Sequence, residues 1–353
     1  MENIHTPLVR QYNLNAQWEF VPRWILELGY VGSSGINLAD YNHNYNTALL
    51  ASPSNPINGI TTNTIANANL RVPYLGFAAS GFQGTGFDGI SNYNSLQATV
   101  RKQLSHGVSF QASYTWSKAL TDLVGFGANY NNATNLAQQY GPAYFNRPQR
   151  FVINYSWEIP AHARGALGKL VEGWNVSGVT VAQSGTPLTI TDSRAGSIYG
   201  VNGPIPTAPT LLTVTFGAVN VGRAQMAPGA SYASATTPGG VEARLGGASG
   251  GPGYLNSSAF TLPPAIGNGF DYGNSGVGVL LGPGQFNWDI SLVKRTKITE
   301  RQEVQLRTEF FNAFNHFQFN NPGAAFSTPA TFGVITSTSV NPRLIQFALK
   351  YAF

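Results

Sequence analysis

The sequence alternates apolar and polar residues with a period of two over long stretches. From Val108 to Ser117, five alternate positions carry apolar or aromatic side chains, and the five positions between them carry Ser, Gln or Thr. Successive side chains of a β-strand point to opposite faces, so this pattern predicts strands with one apolar and one polar face. Nine strands are predicted, over residues 12–20, 24–31, 95–104, 108–118, 151–159, 174–182, 286–294, 304–310 and 345–353.

The length of these segments favours a membrane location. Most of them hold 8 to 11 residues, whereas strands of globular sheets most often hold about 5 or 6. A tilted strand needs about 9 to 11 residues to cross a bilayer. The pattern therefore predicts an all-β protein that spans a membrane as an antiparallel β-barrel. A soluble two-sheet protein with aromatic residues in its core is the alternative interpretation.

The connections between the predicted strands alternate between short and long. Short or medium links are predicted at residues 21–23, 105–107, 161–172 and 299–301. Long loops are predicted at residues 36–92, 121–146, 192–284 and 319–341. Outer-membrane barrels have short periplasmic turns and long extracellular loops, and this alternation is typical of them. The Gly-, Pro- and Asn-rich loops, such as Asn202-Gly203-Pro204 and residues 246–253, are compatible with either mobile or packed segments.

Aromatic residues and lysines are placed as a bilayer requires. Membrane barrels carry aromatic girdles at both interfaces, and lysines on an apolar face can reach the interface from strand ends. One predicted girdle, near the short turns, contains Phe20, Trp24, Trp174, Tyr351 and Phe353. The opposite girdle contains Tyr114, Trp116 and Trp288, and the lysines in question are Lys102, Lys118 and Lys294.

The other faces of the same strands are polar and are predicted to face the barrel lumen. A polar interior behind a lipid-facing apolar band is what a water-filled or plugged barrel needs. The predicted lumen set is Gln97, Thr99, Arg101, Gln103, Asp289, Arg295, Gln305, Arg307 and Glu309.

Composition excludes several classes of protein. Charged residues make up 10% of the chain, against about 25% in a typical soluble protein. Cysteine is absent, which excludes disulfides, thiolate metal sites and cysteine nucleophiles. The net charge of +5 comes from dispersed Lys and Arg, so no nucleic-acid partner is predicted. Residues 1–20 lack the pattern of a secretory signal, which suggests either an intracellular protein or a sequence that starts after the natural one.

No motif predicts catalysis, a cofactor or a metal site. Residues 84–89 match G-x-G-x-x-G, but they are expected in a Gly-rich loop outside any parallel βαβ unit, so the dinucleotide interpretation fails. Histidines 5, 43, 106, 162 and 316 lack the spacing of a helical zinc motif. Loop aspartates are usually turn residues, although they can bind cations. Those predicted in loops are Asp88, Asp122, Asp192 and Asp271.

Several segments resemble the C-terminal strands of TonB-dependent outer-membrane receptors of the Oar-like branch. The C-terminal motifs are RTEFFNAFNHFQFNNPG (307–323), FGVITST (332–338) and NPRLIQFALKYAF (341–353). The motifs further upstream are ELGYVGSSGINL (27–38), YNSLQATVRKQLSHGVSFQASYTWSKAL (93–120), NRPQRFVINYSWEIP (146–160) and GWNVSGVTVAQSGTPLTI (173–190). The resemblance covers nearly all of the predicted strands and few of the loops.

The resemblance implies a barrel of about 22 strands with an N-terminal plug, coupled to TonB through that plug. Residues 1–353 are then expected to form a single partial barrel domain without a plug, in the cell outer membrane. An odd count of nine strands agrees, since single-chain bacterial barrels have even numbers. Outer-membrane lipid and the barrel-assembly machinery are the implied partners, and the assembly signal implied by the resemblance is Phe347, Leu349, Tyr351 and Phe353.

The ligand stays open at this stage. The resemblance implies uptake of a bulky external ligand such as a carbohydrate, siderophore or peptide. Tyr- and Asn-rich residues at 41–45 and 130–132 are compatible with a sugar- or peptide-contacting surface, and equally with loop turns. A surface adhesin or structural barrel without transport is the alternative function. A soluble secreted enzyme would need a catalytic constellation that the sequence does not offer.

Overall fold

Nine long strands pair in chain order into one antiparallel sheet. In the computed structural model the described residues are 5–79, 82–123, 128–130, 132, 135–200, 219–246 and 251–353. Each long strand pairs with the next one along the chain. The strands are β1 (Leu8–Val21), β2 (Trp24–Asn44), β3 (Gln83–Ser105), β4 (Val108–Thr121), β5 (Gln149–Glu158), β6 (Trp174–Gln183), β7 (Gln285–Lys297), β8 (Glu303–Phe311) and β9 (Leu344–Ala352).

The remaining elements are short and lie in the connections. The two-residue strand Gly141–Pro142 joins the sheet beside β4, and one helix, α1, spans Ala166–Val171 in the link between β5 and β6. The two-stranded pairs are Ala128–Tyr130 with Val219–Val221, Pro187–Leu188 with Leu280–Leu281, Gln225–Met226 with Phe260–Thr261, and Ala265–Ile266 with Gly269–Phe270. Single 3₁₀ turns span Ala68–Leu70, Leu136–Gln139, Ser197–Tyr199, Glu242–Arg244 and Ser257–Ala259. Within the described residues no helix is both long and apolar enough to cross a membrane.

The predicted all-β antiparallel sheet is confirmed, and each of the nine predicted segments coincides with one of its strands, with Ile159 and Phe353 one residue beyond the strand ends. The prediction was wrong about two boundaries, because β2 continues to Asn44 and β3 begins at Gln83. Beyond Gly35 the two strands continue to pair through Gly and polar residues, but the pairing is irregular, with register shifts at Gly35, Leu38 and Asp40. Such residues break the period of two, so the alternation pattern could not reveal the extension.

One predicted connection and the placement of one motif are corrected for the same reason. The loop between β2 and β3 covers residues 45–82 instead of 36–92. The G-x-G-x-x-G segment, residues 84–89, therefore lies in strand β3 and not in a loop. Its neighbour β2 is antiparallel, so the context of a dinucleotide site is missing from this segment in any case.

The register gives the sheet one apolar and one polar face. Directly paired residues share a face. One apolar row crosses six strands and consists of Leu28, Ala98, Tyr114, Phe151, Ala182 and Phe286. The predicted lumen residues fall on the opposite face, where Thr99 and Ser113 share a hydrogen bond of 3.0 Å and Arg295 pairs with Gln305. A second row joins Arg101 to Asp289 across the sheet.

Two cross-strand Trp–Lys pairs lie on the apolar face at the short-turn end. Trp24 is paired with Lys102, and Trp174 with Lys294. Each ammonium lies about 6 Å from its ring centroid, at 6.0 and 5.9 Å, which is within cation–π range. Lys102 Nζ also donates to the Ser105 carbonyl at 2.9 Å, and Lys294 Nζ donates to a carbonyl of the link between β5 and β6. Both lysine side chains therefore extend to the strand ends, as expected for snorkelling, and their ammonium groups donate to carbonyls of the connections there.

The buried core of the protein lies in the loops and not between sheets. One cluster joins the β2–β3 loop to the β6–β7 loop, with Ala68, Val72 and Ile198 among its buried members. A second joins the β6–β7 loop to the β8–β9 loop, with Phe260 and Phe332 in contact at 5.7 Å between ring centroids. We call the described residues of these three loops the loop layer. The described residues of these loops are packed. The segments on which composition left the question open, Asn202-Gly203-Pro204 and residues 247–250, lie outside the described residues.

The two outer strands of the sheet have one described neighbour each. β1 pairs with β2, and β9 pairs with β8. Every residue of both strands is exposed. The sheet is therefore open in the described part of the chain, and the predicted total of about 22 strands stays a prediction.

The turn between α1 and β6 depends on one glycine. Gly173 has φ of 75°, and a Cβ added there would lie 2.3 Å from the Arg295 carbonyl oxygen. Gly165 has φ of 66°, and a Cβ added there would meet no neighbouring atom within 4 Å. Left-handed backbone costs a non-glycine residue about 1–2 kcal/mol at either position. We expect Gly173→Ala to lower the free energy of unfolding by about 3 kcal/mol, since overpacking adds to that strain, and Gly165→Ala by about 1 kcal/mol. Thermal unfolding in detergent, followed by circular dichroism, checks this; equal losses would contradict it.

Candidate functional site

The polar face of the sheet and the loop layer together form the candidate site. The polar face carries the predicted lumen residues, including Arg101, Arg307 and Glu309. Arg307 and Glu309 lie 3.6 Å apart as a partly exposed ion pair, so their contribution to stability is small. The loops start from the other ends of the same strands. A solute moving along the polar face would therefore meet the loop layer at one end.

Arg71 ties two loops of this layer together. Its side chain is fully buried. Nε donates to Asn67 Oδ1 at 2.8 Å, and the two Nη atoms donate to the carbonyls of Leu49, Thr64 and Ile198. Burial lowers the pKa of this guanidinium below its ordinary value. Because its donors are directed at protein acceptors, Arg71 is a structural residue and not an anion-binding one.

Tyr199 anchors the same junction from the β6–β7 loop. Its ring stacks on Tyr272 with centroids 4.4 Å apart and planes at 6°. Tyr199 Oη donates to Asp271 Oδ1 at 2.9 Å, and burial, followed by this bond and the Asp271 charge, raises the pKa of Tyr199. Asp271, predicted as a turn residue or cation ligand, is thus engaged by a tyrosine hydroxyl.

A second acidic residue of the loop layer is held by an arginine. Asp192 is fully buried and receives two hydrogen bonds from Arg194, at 2.8 Å from Nε and 2.7 Å from Nη2. Hydrogen bonding to Asp192 raises the pKa of Arg194. The same guanidinium lies 5.6 Å from the Phe326 ring centroid. The bidentate pair lies within the β6–β7 loop and orients the guanidinium. The contact of that guanidinium with Phe326 links this loop to the β8–β9 loop.

The other predicted loop aspartates lie near each other at the start of the loops. Asp122 Oδ1 accepts from the Ile90 amide at 2.7 Å. Burial raises the pKa of Asp122, and the charges of Asp88 and Asp40 add to that shift. Asp88 lies in strand β3 instead of a loop. Among the described residues no group of three or more His, Asp or Glu side chains has the geometry of a metal site.

The histidines lie in different connections and strands of the described structure. His316 packs between aromatic rings, at 6.2 Å from Phe286 and 6.3 Å from Phe314. His106 lies in the β3–β4 turn with φ of 51°, and His162 lies in the link before α1. The His316 cluster also contains Trp288, which is one of the residues of the aromatic girdle predicted for this end of the sheet.

Two cavities lie at the loop ends of the strands. The larger, of about 990 Å³, is lined by the apolar-row residues Tyr114, Phe151 and Phe286 and by loop segments at residues 240–242 and 315–319. The smaller, of about 260 Å³, lies between loops beside Gln139 and Asn321. Gln139 is buried, and its Nε2 has no hydrogen-bond partner among the described residues. Neither cavity was indicated by a sequence motif.

The predicted assembly residues lie together on the last strand. Phe347, Leu349, Tyr351 and Phe353 are all exposed. Leu349 is paired with Leu306 of β8, and the Tyr351 and Phe353 rings are 5.7 Å apart. They form one apolar row that continues the apolar face to the sheet edge. Their role in assembly stays a prediction.

Sequence reasoning missed the two residues that organise the β2–β3 loop. Arg71 is the only Lys or Arg between Arg23 and Arg101, and such isolation in an uncharged loop was a usable signal for a buried structural role. Asn46 is fully buried and holds the segment that follows Val72 through its side-chain amide. Nothing distinguished it among the many asparagines of this loop. Of the predicted sugar- or peptide-contacting residues, Tyr45 contacts Phe82, and residue 131 lies outside the described part of the chain.

A long antiparallel sheet with one apolar face, one polar face and aromatic residues near both strand ends is typical of membrane β-barrel proteins. Residues 1–346 match the family described as outer membrane beta barrel domain. The chain belongs to this family and is located in the outer membrane.

Comparison with known proteins adds partial structural likenesses. The outer membrane transporter YddB from Escherichia coli is similar with a TM-score of 0.45 and 10% identity, over 100% of this chain and 33% of that one. The ferripyoverdine receptor of the outer membrane of Pseudomonas aeruginosa is similar with a TM-score of 0.41 and 11% identity, over 98% and 27%. The chain spans about a third or less of the length of these proteins. No curated protein matches the sequence.

Replacing Arg71 tests the organisation of the loop layer. Arg71→Met keeps much of the side-chain volume but leaves buried carbonyls without donors, which should cost about 4 kcal/mol of loop stability. We expect faster chymotrypsin cleavage after the exposed Tyr74 and Phe77. Arg164→Met, at an exposed arginine before α1, is the control and should cleave like the wild type. Unchanged cleavage of the Arg71 variant would show that this arginine does not hold the loop.

Proposed function

We propose that this chain is the barrel portion of a TonB-dependent outer-membrane receptor of the Oar-like branch. The observation that carries the proposal is the open sheet with an apolar face, a polar face and a folded loop layer over one end. The sequence motifs that resemble this branch support it independently. The barrel would take up a bulky external ligand such as a carbohydrate, siderophore or peptide. The proposed role is transport, with no catalytic step.

Strand direction supports a larger barrel. Neighbouring strands of the sheet alternate in direction, so β1 and β9 run the same way. Joining their free edges directly would create a parallel pair. An odd number of further strands would close the sheet with antiparallel pairs throughout and give an even total, as in bacterial single-chain barrels. In lipid such closure is needed because unpaired backbone groups cost several kcal/mol each.

The packed loop layer supports a receptor that captures its ligand outside the membrane. Arg71 and the Asp192–Arg194 pair hold three loops in one arrangement, so a ligand would bind without first ordering them. Energy for uptake would reach the barrel through TonB and an N-terminal plug domain of the longer protein. The β9 edge, with Phe347, Leu349, Tyr351 and Phe353, would pair with the barrel-assembly machinery by strand addition.

A surface adhesin or structural barrel is the second candidate. It is favoured by the loop core itself, because two buried clusters stabilise an external structure that needs no open lumen. Only the transport function requires a plug. The two candidates therefore differ in whether a plug domain must accompany this barrel portion.

Fractionation of native cells separates these possibilities. An antibody against the C-terminal strands should detect an outer-membrane band far larger than 37.7 kDa, because the receptor needs further strands and a plug. A band near that mass in the outer membrane would favour the structural barrel. A soluble band would contradict both candidates.

Removing Phe353 tests the assembly role. Deletion of this residue from the full-length protein should lower its outer-membrane level several-fold, because the last aromatic of the pairing strand is lost. Phe353→Trp keeps an aromatic ring and should restore the level. Immunoblots of outer-membrane fractions provide the measurement. Normal accumulation of the deletion variant would contradict a role for Phe353 in assembly.

A further inference from the structure

Four aromatic rings of the β2–β3 loop touch one another at the surface. Phe82 is the centre, with ring centroids 5.2 Å from Phe77, 5.1 Å from Tyr74 and 6.1 Å from Tyr45. Phe77 and Phe82 stack at 21°, and Tyr74 meets Phe82 edge-on at 79°. Each side chain keeps between 36% and 53% of its surface exposed. We call these four residues the aromatic platform.

Membrane lipid does not explain the exposure of the platform. Tyr45 follows Trp24, at the turn end of β2, by 21 residues, the length of that strand. At about 3.3 Å per residue this is about 70 Å of strand, or about 50 Å along the membrane normal at a tilt of 45°. The hydrocarbon core is only about 30 Å thick. The platform therefore lies in water beyond the bilayer, where exposed aromatic clusters mark binding surfaces.

Buried asparagines hold the segment of the platform that carries Tyr74 and Phe77. Asn46 Nδ2 donates to the carbonyls of Tyr74, Phe77 and Ala78 at 3.1 to 3.2 Å, and its Oδ1 accepts from the Tyr74 amide at 2.8 Å. Asn44 Nδ2 donates to the Ala79 carbonyl at 2.9 Å. One buried amide thus fixes both ends of the segment that carries Tyr74 and Phe77. A preordered surface loses less entropy when it binds a ligand.

The charges around the platform favour a neutral ligand. Arg71 is the only Lys or Arg between Arg23 and Arg101, and its buried guanidinium is directed at protein acceptors. Burial raises the pKa of the Tyr45 hydroxyl, and the negative charges of Asp88 and Asp40 raise it further. Asp88 is exposed on β3. An anionic ligand would meet the negative charge of these two carboxylates here. Carboxylates beside aromatic rings instead suit a ligand with many hydroxyl groups.

The size of the platform favours a small ligand over a protein. An aromatic side chain offers about 150–250 Å², so four rings at these exposures present about 350 Å². A standard protein interface buries about 800 Å² on each partner. The C–H faces of pyranose rings pack on aromatic faces, and two or three sugar units match this area.

We propose that the aromatic platform is a binding site for neutral oligosaccharides, which stack on Tyr74, Phe77 and Phe82. This inference rests on the proposed receptor function and names the class of its external ligand. It also assigns the site to a rigid surface of the β2–β3 loop, beyond the bilayer.

Calorimetric titration of the purified full chain in detergent tests the site without TonB or transport. The probes are cellohexaose, maltohexaose and xylohexaose, with hexagalacturonate as the anionic comparison, up to about 10 mM because small contact areas bind weakly. We expect at least one neutral hexasaccharide to bind, and to bind more tightly than hexagalacturonate. Absence of binding by all three neutral probes, or tighter binding of the anionic one, would overturn the proposal.

Variants connect binding to the rings. Tyr74→Leu combined with Phe77→Leu keeps apolar volume but removes the flat faces, so affinity should fall at least about tenfold. Phe77→Tyr keeps the ring and should stay within about threefold. The matched control is Tyr144→Leu with Phe145→Leu, at another exposed pair of touching rings, 5.1 Å apart, and should bind like the wild type.

Two outcomes of the variant series would overturn the proposal. One is unchanged affinity of the Leu variant, and the other is an equal loss in the Tyr144/Phe145 control. The thermal unfolding midpoint of each variant shows whether the loop stays folded, and Phe77→Tyr reports on the ring if the Leu variant unfolds. Failure of the sugar titration would not change the result of the fractionation experiment that tests the receptor function. A soluble band in the fractionation experiment would likewise not change the result of the sugar titration.

Discussion

The structure depends on one constraint, which is that a strand in lipid must pair all of its backbone hydrogen-bonding groups with other strands. Each of the nine strands is paired along nearly its full length with its neighbour in the chain. For the strands joined by short turns, this order follows from the turn itself, which leaves a strand no partner closer than the one before it. The same constraint gives the free edges of β1 and β9 their significance, because a lipid-facing edge has no water to replace the missing partner.

The loop layer is stabilised by different physics. The sheet has almost no buried core, whereas the loops bury Ile190, Ile198 and Phe260 and surround Arg71 with acceptors. Loops in water can use hydrophobic burial, which contributes little on a face already covered by lipid. The protein therefore combines a sheet held by hydrogen bonds with an external layer held by packing. Binding surfaces such as the aromatic platform belong to the second part, where side chains can be fixed without a second sheet.

Sequence patterns predicted strands well and loop contacts poorly. Alternation located β4 and β9 to within a few residues because each position has one fixed environment, lipid or lumen. It failed beyond Val31 in β2, where the segment Gly32-Ser33-Ser34-Gly35 breaks the period of two. It could not associate Tyr45 with Phe82, or Arg71 with Ile198, because these contacts join positions far apart in the chain through irregular backbone.

The sequence by itself determined the class of the protein. Strand length, the alternation of faces and the order of turns and loops are local properties, and the bilayer imposes them on any chain that crosses it as strands. Only the tertiary structure decided that the described loops are packed, that Asp192 and Asp271 serve as internal partners, and that four rings of the β2–β3 loop meet. Those features depend on which distant segments come together, and a periodic pattern carries no information about that choice.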